Sequence, residues 1–260
     1  MRNLLRTFLD ADHPAFGISI NIPDPVSVEL VGLAGFDYAF IDLEHSGIGL
    51  ERLEYLLRTA RASGLASIVR TPGPRSELTA RIVDLGVDGV LVPRVSSKSQ
   101  VAAVVRETRF PPIGQRGIAE ASRTADYGAY RGQATAESVN RDQVVGVMIE
   151  TAGAVADIEA IVETPGLDFI FIGPEDLAAS MGYIGVRGHP RVESAVERVI
   201  EVARKANMKF AMGAGHPAVS IPVNELVGRG ACMVLSGRDS NLLLNSLREV
   251  RVRGEGIAHF

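Results

Sequence analysis

The chain has 260 residues with 27 basic against 31 acidic side chains, a net charge of -4 and no basic block, which argues against nucleic acid as a partner. A 46% hydrophobic and 22% charged composition is that of a globular protein with a sizeable core, and the length suits one (β/α)8 barrel of about 250 residues. No run approaches the roughly 18 apolar residues of a membrane span, MRNLLRTFLDADHPAF lacks the apolar stretch of a signal peptide, and the single Cys232 can form neither an intrachain disulfide nor a cysteine zinc site, so a reducing cytoplasm is expected.

Apolar runs of strand length alternate with longer segments of helical period, the pattern of parallel β/α units. Phe16 to Ile20 reads as the first strand, followed by a helix in SVELVGLAG with Gly35 as its stop. Phe36 to Asp42 is the second strand, and Leu50 to Ala62 a helix with Leu53, Leu56 and Leu57 on one face. Ala66 to Arg70, a helix near Ser76 to Leu85, Asp88 to Pro93 and a helix near Ser97 to Arg106 continue the rhythm. The stretch 110–140, rich in glycine, proline, arginine and polar residues, holds no convincing strand and is longer than ordinary βα loops. It is expected to form a lid-like insertion on the carboxylate-bearing side of a single domain covering 1–260, against the alternative of a disordered insertion. Val144 to Glu150, DFIFIGP, Lys209 to Ala214 and Ala231 to Gly237 supply the remaining strands. Helices are expected in AGAVADIEAIVET, from Pro190 to Asn207, from Ala218 to Gly228 and in SNLLLNSLREVRVR. Eight such units without an internal linker predict an α/β fold, one closed TIM barrel.

Chemistry in such barrels sits where the strands end. The second strand ends in Asp42, Glu44 and His45, the third in Arg70, the fourth in Pro93 and Arg94, the fifth in Glu150 and the sixth leads to Asp176. Glu150 and Asp176, on neighbouring strands, are hard oxygen ligands that suit magnesium or manganese; alone, either could simply favour the start of a following helix. Arg70 offers forked donors to a substrate carboxylate or a developing enolate oxygen, or else a salt bridge to a rim carboxylate. His45 has acidic neighbours that suit a general base, against the plain alternative of a solvated loop histidine. His216, in GAGHP, reads first as a turn, and no lysine ends a strand, which disfavours a Schiff base.

These residues and their surroundings resemble the HpcH/HpaI aldolases, metal-dependent class II pyruvate aldolases on a (β/α)8 barrel of the phosphoenolpyruvate/pyruvate type. The likeness is carried by FDYAFIDLEHS, IVRTP, VDGVLVP, RFPPIGQRG and IETAGAVADIEAIVETPGLDFIFIGPEDLAASMG, in that order. It implies a divalent ion (Mg2+, Mn2+ or Co2+) held by Glu150 and Asp176, Arg70 on the ketoacid carbonyl oxygen, and His45 as acid/base group paired with Asp84. It also implies homohexamers, trimers of dimers, in which the last helix packs on a neighbour. The implied reaction is cleavage of a 4-hydroxy-2-oxo acid to pyruvate and an aldehyde through a metal-stabilised pyruvate enolate. Cleavage of a hydroxyacyl-CoA or citryl thioester, decarboxylation of oxaloacetate, and a non-catalytic ketoacid-binding barrel are the alternatives. Two departures alter the pocket: Met148 stands where the family commonly has glutamine, and Ser19 where it commonly has tryptophan.

Overall fold

A computed structural model describes residues 3–74, 78–129 and 132–255. In chain order it runs α1 (Leu4–Leu9), β1 (Ala15–Ile20), α2 (Pro25–Leu33), β2 (Tyr38–Asp42), α3 (Leu50–Ala62), β3 (Ala66–Arg70), α4 (Leu78–Asp84), β4 (Gly89–Val92) and α5 (Lys98–Thr108). A 3-10 segment (Arg123–Gly128) and α6 (Gln133–Asp142) precede β5 (Val144–Ile149). Then come α7 (Ala152–Ala156), α8 (Ile158–Val162), β6 (Phe169–Ile172), α9 (Pro174–Ser180), α10 (Pro190–Lys205), β7 (Lys209–Gly213), α11 (Val223–Gly228), β8 (Met233–Arg238) and α12 (Asp239–Glu255). The strands close in sequence order, every pair parallel, with β8 against β1, as the alternation of the sequence predicts.

Alternate residues of each strand serve two apolar layers. Tyr38, Phe40, Ile68, Leu91, Met148, Phe169 and Phe171 fill the inside of the barrel, while Ile41, Val69, Val90, Val147, Ile149 and Ile172 face the helices. Gly146 makes this packing possible, because a Cβ there would lie 2.3 Å from the Phe169 ring. Leu5 and Leu9 of α1 join the inner layer, so the first helix stoppers the end at which the strands begin. Asn3 Nδ2 donates to the Asp88 carbonyl at 2.7 Å, fastening that stopper just before β4. The opposite end is left open, and there the strands deliver their charged residues.

Three expectations change. The helix expected near Ser76 is seen as Leu78–Asp84, its expected start lying outside the described residues. AGAVADIEAIVET is broken into α7 and α8 at Asp157, whose carboxylate accepts the Lys98 N–H at 2.7 Å and so caps α5 instead of sitting inside a helix. The 110–140 stretch is no cover for this barrel's own mouth. It joins the end of α5 to the start of β5, and therefore runs at the stoppered end. Arg109 holds it there, donating to the carbonyls of Asn140 and Gln143 at 2.8 and 2.7 Å and to Asp168 at 2.7 Å. Asp168 also receives Arg6 of α1 at 2.7 Å, so stopper and insertion share one ionic anchor.

Candidate active site

Asp42 and Arg70 close β2 and β3 as register partners, so their side chains leave the sheet on the same side. The guanidinium binds the fully buried carboxylate in a fork, Nε to Oδ1 at 2.9 Å and Nη2 to Oδ2 at 2.7 Å. Its Nη1 lies 3.2 Å from Glu44 Oε2 and 3.8 Å from the Met148 sulfur, on the inner face of β5. Arg70 is thus gripped from β2 and β5, and among the described residues its Nη2 keeps one hydrogen without a partner. Burial works to raise the Asp42 pKa, but the bonds and charge of Arg70 and the N–H groups of Glu44 and His45 outweigh it, leaving the carboxylate below its ordinary range. Glu44 goes the other way: burial lifts it, and Arg70, His45 and Arg94 only partly compensate.

His45 stands beside this pair with its ring more than half exposed and Nε2 3.8 Å from Glu44 Oε2. Its backbone is fixed: the N–H donates to Asp42 Oδ1 at 3.3 Å, and Asn21 Nδ2 reaches its carbonyl at 3.4 Å. The imidazole therefore stands exposed at the open end on a held main chain.

Across the mouth, Glu150 follows β5 and is only 2% exposed. Its Oε1 accepts the Arg94 N–H at 2.6 Å, and Arg94 takes the left-handed conformation (φ 56°) that turns this N–H onto the carboxylate. Oε2 is buried without any hydrogen-bond partner. Gly173, after β6, leaves the room it occupies, since a Cβ there would stand 2.8 Å from Oε2. Burial chiefly pushes the Glu150 pKa up from 4.5 to about 7; Asp176 and Glu44 push the same way, while the Arg94 N–H and Arg70 oppose. Asp176 lies in the first turn of α9, exposed, close enough for its charge to be felt at Glu150. Among the described residues no group of three or more His, Cys, Asp and Glu side chains forms a ligand cluster. Two carboxylates that repel each other, one with an orphaned buried oxygen, nevertheless fit a hard divalent cation completed by oxygen atoms of water or a small molecule.

Four of the five residues expected at the site, His45, Arg70, Glu150 and Asp176, stand at the open end. Asp84 does not. It is the last residue of α4, a helix that returns from the rim to the stoppered end, and its carboxylate pairs with Arg116 of the insertion, so within one chain it cannot serve His45. Burial lifts the Cys232 thiol to about 12, and its Sγ lies 3.2 Å from the Phe210 carbonyl. His216 Nε2 lies 3.3 Å from Glu175 Oε2, next to Asp176 in sequence. Sequence reasoning named Asp42 as a strand end but gave it no task, and it missed Asn21 and the Arg94 N–H altogether. A buried acid directly opposite a strand-ending arginine is a signal that could have found the first; the other two depend on backbone geometry.

Residues 17–246 match the family model described as HpcH/HpaI aldolase/citrate lyase. The hydroxypyruvate/pyruvate aldolase of Paraburkholderia phytofirmans is 34% identical over 212 residues, covering 79% of this chain and 81% of its own. The 5-keto-4-deoxy-D-glucarate aldolase of Klebsiella pneumoniae is 34% identical over 206 residues, 78% of each chain. Among solved structures, an HpcH/HpaI aldolase/citrate lyase family protein from Burkholderia cenocepacia aligns with a TM-score of 0.89 at 31% identity, over 97% of this chain and 99% of the other. Closed barrel, rim carboxylates and sequence agree: the chain belongs to the HpcH/HpaI aldolase/citrate lyase family.

Proposed function

We propose that this protein is a divalent-metal-dependent aldolase that cleaves a 4-hydroxy-2-oxo acid of the 2-keto-3-deoxy type to pyruvate and an aldehyde. The observation that carries the reading is the buried, partnerless Glu150 Oε2 facing the charge of Asp176, within the same mouth as a clamped Arg70 and an open His45. The names of the two aldolase relatives, which concern pyruvate, hydroxypyruvate and a keto-deoxy acid, support the same substrate class.

Glu150 and Asp176 are the residues that would hold the ion, which is magnesium, manganese or cobalt in this reading. When bound, it supplies Lewis-acid polarisation of the 2-oxo acid. Arg70 donates to the 2-oxo oxygen, and Asp42 and Glu44 keep the guanidinium aimed so that it need not reorganise as negative charge grows there. His45 accepts the proton of the C4 hydroxyl as the C3–C4 bond breaks. The electron pair of that bond passes into the pyruvate half, the aldehyde leaves, and a proton delivered to C3 completes pyruvate. The inner wall at Met148, Phe40 and Phe171 keeps water from the buried side of this polar cluster.

The same proposal includes a cytoplasmic homo-oligomer, a hexamer built as a trimer of dimers. Leu242, Leu243, Leu244, Leu247 and Val250 of α12 and Leu30 and Leu33 of α2 are exposed and apolar, which supports assembly through that side. Pyruvate release from a panel of 4-hydroxy-2-oxo acids, measured with each ion and after chelation, tests the function. Release that needs the ion is expected; release indifferent to a chelator would remove the metal from the mechanism.

A further inference from the structure

Two residues beyond β4, Arg94 bonds to three other strand ends at once. Its main-chain N–H reaches Glu150, after β5, at 2.6 Å. Its Nη2 donates to the Pro72 carbonyl, after β3, at 2.8 Å, and its Nε lies 3.0 Å from Glu44 Oε1, after β2. Glu44 divides its carboxylate between two cations, because its other oxygen, Oε2, lies 3.2 Å from Arg70 Nη1. Gly73 gives the Arg94 guanidinium its place, since a Cβ there would stand 3.0 Å from Nη2. The side chain of Arg94 is thereby spread along the rim from β4 back to β2, while the main chain of the same residue points forward to β5.

That main chain is strained. A φ of 56° suits glycine or asparagine, and an arginine keeps it only where its surroundings impose it. Val95, next in the chain, is fully buried and its carbonyl accepts the Thr151 hydroxyl at 3.0 Å, so the turn is tied just past the strained residue. Arg94 supplies the tie at the residue itself. What the strain secures is the one hydrogen bond that the Glu150 side chain makes among the described residues. With Oε1 fixed by the Arg94 N–H and room left by Gly173, Oε2 has a defined place without a partner. A carboxylate oriented in this way loses little freedom when it takes up an ion.

We infer that Arg94 is a positioning residue for the metal centre: its side chain, anchored on Glu44 and the Pro72 carbonyl, holds its own N–H on Glu150 and sets that carboxylate for the cation. The inference rests on the reading of Glu150 and Asp176 as the residues that would hold a divalent ion. It also joins the two parts of the mouth, since Glu44 braces Arg70 with one oxygen and, through Arg94, steadies Glu150 with the other.

Mg2+ titrated calorimetrically into the metal-free protein tests it without requiring turnover. The variants are Arg94→Ala, Arg94→Gly and Arg94→Lys, with the melting temperature of each metal-free protein measured alongside. Arg94→Ala keeps the strain and loses both anchors, and should bind Mg2+ about tenfold more weakly, the scale of losing a group that orients a ligand. Arg94→Gly relieves the strain but leaves the N–H unheld, and should also lose affinity while melting no lower than Arg94→Ala. Arg94→Lys keeps a charge for Glu44 without the fork that also meets Pro72, and should recover part of the loss. Parent affinity in Arg94→Ala would show that Val95 and Thr151 hold the turn unaided, and parent affinity in Arg94→Gly that only the conformation matters; either overturns the inference. A loss in Arg94→Lys as large as in Arg94→Ala would overturn the anchoring on Glu44. Graded affinities without pyruvate release from any 4-hydroxy-2-oxo acid would keep the positioning role and remove the aldolase. Ion-dependent release with equal Mg2+ affinity in the parent and Arg94→Ala would do the reverse, and a parent that binds no Mg2+ would remove both.

Discussion

Glu150→Gln separates the electrostatic load at the carboxylate pair from every other contribution to stability. The folded protein holds the Glu150 proton with a pKa of about 7 against an ordinary 4.5, mainly because the group is buried. In the window between those values the folded chain keeps a proton that the unfolded chain releases, so stability falls as pH rises through it. At about 1.4 kcal/mol for each tenfold change in proton affinity, the full penalty above the window is roughly 3 kcal/mol for the metal-free protein. The glutamine keeps an oxygen for the Arg94 N–H and carries no charge at any pH. Metal-free Glu150→Gln should therefore match the parent near pH 4.5 and melt higher near pH 8, by roughly 6–12 °C at the size of this chain. Excess Mg2+ should raise the melting temperature of the parent, by mass action on the folded state, and leave the variant almost unmoved. Scanning calorimetry at the two pH values, with and without the ion, reads all four quantities. A variant that tracks the parent at both pH values, or that gains as much from Mg2+, would refute the reasoning.

Arg70→Ala removes a transition-state donor, and turnover in the pyruvate-release assay should fall roughly a hundredfold. Near-normal turnover would take Arg70 out of that role. In the same variant Asp42 becomes a buried acid without its cation, and a melting temperature lowered along with the rate is expected. Gly173→Ala would put a methyl 2.8 Å from Glu150 Oε2 and 3.0 Å from its Cβ. Affinity for Mg2+ by calorimetry should fall about tenfold or more as the carboxylate is displaced; unchanged affinity would show that Oε2 is not where the ion binds.

What the sequence disclosed and what it hid follow from the range of the interactions involved. ASIVR and VVGVMI announce themselves because parallel strands covered on both faces must be apolar along their whole length, and the charged residue that follows marks the mouth. Four of the five candidates, those that stand at the open end, were legible for that reason. Asp84 stands apart from them within one chain, because a match to a motif says nothing about which end of the barrel a helix terminus reaches; the direction of α4 decides it. The 110–140 stretch was read as a lid on the carboxylate-bearing side, whereas its position between a helix and the next strand puts its described residues at the other end. The use of Asn21, and of a main-chain N–H made available by a left-handed arginine, depends on dihedral angles that no residue type dictates.

The closed strand order also divides the mouth into two arcs. The residues proposed to grip charge and move protons come from the contiguous run β2 to β6, while β7, β8 and β1 contribute His216, Arg238 and Ser19. Arg70 is braced by β2 and β5, and the second arc is tied to the first through Asn21, directly after β1, which bonds Asp42 and the His45 carbonyl. Beyond that tie, exchange of His216 or Arg238 leaves the groups that hold Arg70 in place.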